Sequence, residues 1–125
     1  LGYGPYVFPA TDVSGNYQII KAGPGTGVAT GTYLATVTRR AYLGAAKTNV
    51  TIVAGNNTLP QANLLGGEVT NDGVIDVGDL ALIGGAFGNS VTPDTGADVN
   101  ADGVINILDL VLAGGNYGLS SPQPW

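Results

Sequence analysis

Residues Glu68–Ser90, EVTNDGVIDVGDLALIGGAFGNS, align without gaps on Asp98–Ser120, DVNADGVINILDLVLAGGNYGLS, at an offset of 30 residues. Twelve of the 23 positions are identical, among them Asp72/Asp102, Gly73/Gly103, Val74/Val104, Asp79/Asp109, Leu80/Leu110 and Gly88/Gly118. Each copy is an oxygen-rich loop followed by a short apolar segment. A duplication of this kind restricts the second half of the chain to two similar units packed on one another. It also crowds seven of the nine acidic residues into two loops that contain no lysine or arginine.

With Asp98 as position 1 of the second loop, side-chain oxygens fall at positions 1, 3, 5, 9 and 12 and glycine at position 6. This is the pattern in which a 12-residue loop wraps calcium, a hard cation that takes 6–8 oxygen ligands. Asp98, Asn100 and Asp102 would supply side-chain oxygens and Val104 its main-chain carbonyl. Asn106 would act through a water, and Asp109 would close the shell. Gly103 permits the sharp turn, and Ile105 at position 8 is expected to pair with its counterpart Ile75. The first loop offers Glu68, Thr70, Asp72, Val74, Asp76 and Asp79 at the same positions. Its longer carboxylate at position 1 and neutral hydroxyl at position 3 predict weaker or altered binding. Magnesium fits less well, because it prefers fewer protein ligands and more water. The bland alternative is an acidic turn held by local hydrogen bonds, as Asp and Asn often make. Two matching loops at a fixed offset favour calcium. Two bound ions would change the formal charge from −5 to −1, so calcium is expected to drive folding of this half.

The duplicated unit DxNxDGxIxxxDL, with little helix before each loop and Asp79 and Asp109 at position 12, resembles a dockerin domain over roughly Gly66 to Gly118. The resemblance implies calcium-dependent folding, docking to a cohesin partner and a secreted bacterial setting. It also places partner choice at loop positions 10 and 11, here Val77-Gly78 and Ile107-Leu108. The two repeats differ at these positions, which argues against a symmetric two-way surface, and core packing is an equal alternative for Ile107-Leu108. Each helix contains a Gly-Gly pair, Gly84-Gly85 and Gly114-Gly115, which predicts short helices whose glycines allow close approach. Leu80, Ile83 and Phe87 are expected to share a face, as are Leu110, Ala113 and Tyr117. Gly88 and Gly118 are expected as C-terminal caps.

The first half reads differently. Val, Thr, Tyr and Ile dominate, which favours strands and turns. TDVSGNYQII (Thr11–Ile20) predicts a turn and then a strand. GTYLATVTRR alternates with Tyr33, Ala35 and Val37 on one face. KTNVTIVAGNNTL predicts a strand through Val50 and Ile52 and a turn at Gly55–Asn57, and Ala62–Leu65 a last strand. SGNYQI and GTYLATV resemble the small β-sandwich repeats of the carboxypeptidase-regulatory-like group, an Ig-like module. With Pro5–Phe8 as a fifth strand the set falls short of the roughly seven strands of a full sandwich. An incomplete sandwich leaves a strand edge for the second half, or a strand donated by a neighbouring chain, to cover. The expected fold is therefore mixed: an antiparallel, incomplete β-sandwich over residues 1–65, a dockerin-like α module with two calcium loop–helix motifs over 66–120, and a tail over 121–125. Trp125 either folds back on its own domain or pins a neighbouring subunit.

Composition narrows the function. The chain has no cysteine and no histidine, which removes thiolate and imidazole metal sites and the commonest general base. The clustered carboxylates are better explained as calcium ligands than as a catalytic pair, so the chain is not expected to be an enzyme. Lys21, Arg39, Arg40 and Lys47 against Asp12 give the first 66 residues a net +3, and the rest carries −8. Nucleic acid is thus an unfavourable partner. No run reaches the roughly 18 apolar residues of a membrane span. The start at Leu1 reads as a mature or trimmed product. Asn49 and Asn56 match the N-glycosylation pattern, although ordinary turn and strand roles are the simpler explanation. The expected function is a non-enzymatic, extracellular, calcium-binding module for protein–protein assembly. One version is a subunit that polymerises into a filament through a heterologous contact of basic head with acidic tail. The other is a C-terminal dockerin module of a secreted enzyme or adhesin that docks onto a cohesin-type receptor.

Overall fold

A computed structural model describes residues 28–125 of the chain. Strand β1 (Gly31–Val37) and strand β3 (Ala45–Ile52) form an antiparallel pair. The alternation in GTYLATV sets its faces: Tyr33, Ala35 and Val37 are half-buried, while Leu34 stays 64% exposed. The register shifts between Tyr33 and Ala35, opposite Asn49 at φ 57°. The residues opposite are one too many for the pairing, and asparagine tolerates the left-handed conformation a bulge requires. The connection between β1 and β3 contains a two-residue strand β2 (Ala41–Tyr42), which pairs antiparallel with β4 (Gly66–Glu68). Helix α1 (Val77–Gly85) and helix α2 (Ile107–Gly115) follow the two loops. The C-terminal strand β5 (Gln123–Pro124) then returns to lie parallel against β3, giving the sheet order β1-β3-β5.

One core joins these elements. Ala41 and Leu43 come from the connection, Ile75, Val99 and Ile105 from the loops, Ile83 and Ala113 from the helices, and Ala97 from the turn before the second loop. Leu43, Ile75, Ile83 and Val99 are completely buried. Strand β4 lies close against α2: a Cβ at Gly67, where φ is +123°, would sit 2.4 Å from the Ala113 Cα. Only glycine permits that approach. Asn116 at the end of α2 donates from Nδ2 to the Gly66 carbonyl at 2.8 Å and fastens the same contact.

The repeats exchange their main-chain hydrogen bonds. Ile75 N–H donates to Leu119 O and Gly118 N–H to Ile75 O; in the other copy Ile105 N–H donates to Asn89 O and Gly88 N–H to Ile105 O. Val91 N–H reaches Gly103 O and Ser121 N–H reaches Gly73 O, again 30 residues apart. Each loop is thus braced by the segment that follows the other repeat's helix.

Several expectations need correction. Ile75 and Ile105 share the core but do not pair through the main chain; each pairs with the stretch after the opposite helix. Gly88 and Gly118, at φ 87° and 83°, use their N–H groups in this exchange rather than to cap their own helices. The Gly-Gly pairs are the last two residues of each helix and face open space, so they admit no close neighbour. Phe87 and Tyr117 fall beyond the helix ends and are more than half exposed, because the last turn carries them off the buried face that Ile83 and Ala113 define. The strand expected at Ala62–Leu65 is absent; pairing begins at Gly66, where β2 lies alongside. The turn at Gly55–Asn57 is present, with the Asn57 side chain bonded to Val53 and to Gly55 O. The strands of the described residues form a three-stranded sheet and a two-stranded ribbon, and facing sheets of a sandwich are not among them. The segments Pro5–Phe8 and Thr11–Ile20 lie outside the described residues.

Candidate functional site

The two loops are built alike because their hydrogen bonds are dictated by the same residue types. At position 9, Asp76 and Asn106 are the helix N-caps, accepting from Gly78 N–H at 2.7 Å and Leu108 N–H at 2.8 Å. At position 12, three residues into each helix, Asp79 and Asp109 reach back to the cap N–H of Asp76 (2.8 Å) and Asn106 (2.9 Å), completing a capping box. Their other oxygens take the loop's early amides. Asp79 Oδ1 accepts from Val69 and Thr70 N–H, and Asp109 Oδ1 from Val99 and Asn100 N–H.

Position 1 closes the other end. The Asp98 carboxylate accepts from Asp102 and Gly103 N–H and, through Oδ2, from Asp94 N–H at 3.1 Å. Glu68 Oε1 accepts from Asp72 N–H and the Thr70 hydroxyl, which also reaches Asp79 Oδ1. The longer Glu68 side chain therefore occupies the place of Asp98, with Thr70 bridging positions 1 and 12. Asn100 Nδ2 donates to Asp102 Oδ2 at 2.8 Å, and this bond, with the Val104 N–H donated to Oδ1, holds the Asp102 carboxyl below the usual carboxylate range. Asp72 Oδ1 accepts from Val74 N–H in the same way. Asn106 Nδ2 points back to the Val104 carbonyl. The left-handed turns at Gly73 (φ 88°) and Gly103 (φ 85°) stand at position 6 of each loop.

Residues 67–113 match the dockerin type I domain family. Two solved structures are similar over more of the chain. One is the C-terminal interface mutant of a type II cohesin–X-dockerin complex from Acetivibrio cellulolyticus, 30% identical, covering 75% of this chain and 67% of that one with a TM-score of 0.65. The chain belongs to the dockerin family. The N-terminal interface mutant of the same complex is 28% identical over 76% of this chain and 67% of that one, with a TM-score of 0.60. This likeness is wider than the dockerin domain itself and extends into the β half. No curated protein matches the chain. The dockerin is a calcium-binding, EF-hand-like module of protein–protein interaction and is itself non-catalytic. No helix among the described residues is long and apolar enough to cross a membrane.

The loops of this dockerin suit calcium. Asp79, Asp98 and Asp109 are completely buried and Glu68 is 6% exposed. Among the described residues, every donor to these four carboxylates is a main-chain N–H or the Thr70 hydroxyl. The ion pairs of the described residues, Arg39–Asp94 and Arg40–Asp94, lie outside both loops. Buried anions without a counter-charge are costly, and amide hydrogen bonds offset only part of that cost. A divalent cation surrounded by hard oxygens would supply the missing charge. Among the described residues no three carboxylates stand together as a site able to hold a metal unaided. Asn100, Thr70 and the Val74 and Val104 carbonyls would have to supply further oxygens beside the acids.

The residues at positions 10 and 11 are placed clearly. Ile107 and Leu108 are more than half exposed, which excludes core packing for both; Val77 is exposed, and Gly78 lies half-buried beside Thr70 and Asp76. Sequence reasoning missed Arg40 and Asn116, whose side chains tie distant segments to the approach of each loop, and Ser121, whose Oγ accepts from Gly44 N–H while its own N–H reaches Gly73 O in the first loop. The adjacent pair Arg39-Arg40, half of the chain's basic residues, was the one available signal.

Proposed function

We propose that each loop holds one Ca²⁺ and that the loaded module docks onto a cohesin through the outer face of α2. In the second loop the ligands are the side chains of Asp98, Asn100, Asp102 and Asp109 and the Val104 carbonyl, with Asn106 acting through water. In the first they are Glu68, Thr70, Asp72, Asp76 and Asp79 with the Val74 carbonyl, and the affinity is lower because Glu68 is longer than Asp98 and the Thr70 hydroxyl is a shorter, weaker oxygen donor than the Asn100 amide. The setting is extracellular, as for a secreted protein.

The observation that carries the docking reading is an apolar strip left open on α2. Ile107, Leu108 and Val111 are each more than half exposed and lie on one side of the helix that begins at the second loop. An exposed apolar strip of this kind marks an interaction site. Helix α1 offers Val77 and Leu82 but has Gly78 where α2 has Leu108, so the two faces are unequal and one orientation is favoured. The likeness that reaches into both halves is to type II complexes, although the family model describes type I. A type II cohesin is therefore the partner to test. Ile107→Asp with Leu108→Asp should abolish its binding in calorimetry while leaving the melting temperature within about 2 °C, because exposed positions contribute little to stability. Unchanged binding would refute the docking face. Self-assembly is the second reading, but Trp125 donates from Nε1 to Pro60 O within its own chain, which favours docking. Regular polymers of the pure chain in calcium, seen by electron microscopy, would reverse that preference.

A further inference from the structure

Arg40 lies in the connection before β2, outside the duplicated segment, yet its guanidinium is spent on the entrance to the second loop. Nε donates to Asp94 O at 2.8 Å, Nη1 to Gly96 O, and Nη2 to Asp98 O at 3.0 Å. Three carbonyls at alternate residues of one turn are thus held by one planar, rigid fork, which a lysine cannot reproduce. The same turn presents Asp94 N–H to Asp98 Oδ2 at 3.1 Å. The fork therefore fixes both the main chain of position 1 and the amide that orients its buried carboxylate.

The repeat explains why the fork is needed. In the first copy the carbonyl equivalent to Gly96 O is Gly66 O, held by Asn116 Nδ2 from the end of α2. By the exchange symmetry its counterpart at the end of α1 is Ala86, which has no side-chain donor. Arg40 occupies that place. The next residue, Ala41, pairs in β2 with Glu68, position 1 of the first loop, so one short segment touches the opening residue of both loops.

We propose that Arg40 is a positioning residue for the second calcium loop, acting from the β half of the chain and replacing the donor that the first repeat lacks. This rests on the calcium reading above. It does not rest on the ion pair with Asp94, whose partners are both substantially exposed at 3.6 Å and contribute little. Residues that orient a metal ligand through hydrogen bonds typically change affinity by about 10–100-fold when removed.

The test is a calcium titration of the full chain followed through the amide resonances of Gly73 and Gly103, which report the two loops separately. Arg40→Met should weaken the second loop by about tenfold or more, with the first near its wild-type affinity. Arg40→Lys, which keeps the charge and loses the fork, should weaken the second loop too. Unchanged affinity at Gly103, or equal weakening of both loops, would overturn the proposal. So would tighter binding in Arg40→Met with Arg40→Lys unaffected, because that pattern is simple charge repulsion of the cation. If Arg40→Met fails to fold in saturating calcium, Arg40→Lys alone decides. A wild-type chain whose resonances ignore calcium would instead sink the calcium reading, and this inference with it.

Discussion

Replacing Asp109 by Asn separates what the carboxylate does for the fold from what it does for a metal. Asp109 is completely buried and accepts three main-chain N–H bonds, from Val99 at 2.8 Å, Asn100 at 3.2 Å and Asn106 at 2.9 Å. Asn keeps the shape but offers only one oxygen. If that oxygen stays on Val99 and Asn100, the new NH₂ faces the Asn106 N–H, which loses its acceptor. An orphaned buried donor costs about 1–3 kcal/mol, and the two surviving bonds lose their charge assistance. A loss on the order of 2–4 kcal/mol is expected whether or not calcium is bound. The metal role appears in a different quantity. An ion held only by the native state adds about 1.4 kcal/mol of stability for each tenfold rise in its concentration above the dissociation constant. Two occupied loops give about 2.8 kcal/mol per decade, and one gives half of that. Urea midpoints measured across a range of free calcium yield this slope for wild type and variant, with the m-value checked for constancy. The slope of Asp109→Asn should fall to about half. A slope equal to that of the wild type would show that Asp109 is a capping residue only, and a flat wild-type slope would refute calcium binding altogether.

Gly67→Ala should lower stability by roughly 3 kcal/mol or prevent folding, since the new Cβ meets the Ala113 main chain at φ +123°; a thermal melt in calcium checks it. Leu43→Ala should cost about 2–5 kcal/mol and shift the whole far-UV transition as one step, because this completely buried residue of the β half sits in the core shared with both loops. Two separate transitions in that variant would contradict the shared core. Calcium affinity should fall on acidification, as carboxylates must be ionised to bind, and a calcium titration repeated at several pH values checks it. Asp102, held low chiefly by Asn100, contributes stability that is fully present above the ordinary carboxylate value and is lost only as pH falls through its lowered one. In calcium-free solution Asn100→Ala should therefore raise the pH at which the Asp102 carboxyl titrates, followed by its side-chain NMR resonance, and an unmoved titration would exclude this bond as the cause.

The loops were legible because their information is local. Oxygen side chains at fixed spacing, glycine at position 6 and a cap residue at position 9 determine the turn and the helix start within twelve residues, and Val77 and Ile107 open the helices as that spacing requires. Strands β1 and β3 were legible from the alternation of Tyr33, Ala35 and Val37 and from the apolar positions Val50 and Ile52. What sequence did not reveal depends on partners far along the chain. Strand β4 is two glycines and a glutamate, with no strand propensity of its own; it forms because β2 and α2 lie beside it. Strand β5 contains a proline, and it is held against β3 by contacts from far along the chain, Gln123 N–H to Gly44 O and Lys47 Nζ to Trp125 O. Phe87 and Tyr117 satisfied the helical spacing of a buried face, but the helices stop at Gly85 and Gly115, and periodicity ends with the helix.

The crossed bracing of the repeats bears on how the molecule could be shortened. The recognisable dockerin segment ends at residue 113, whereas Gly118, Leu119 and Ser121, which bond the first loop, come after it. A fragment trimmed to the familiar boundary would keep all six first-loop ligand positions and lose their scaffold. Such a piece should behave as a slack peptide rather than a minimal binder, since half of a mutual embrace supports nothing.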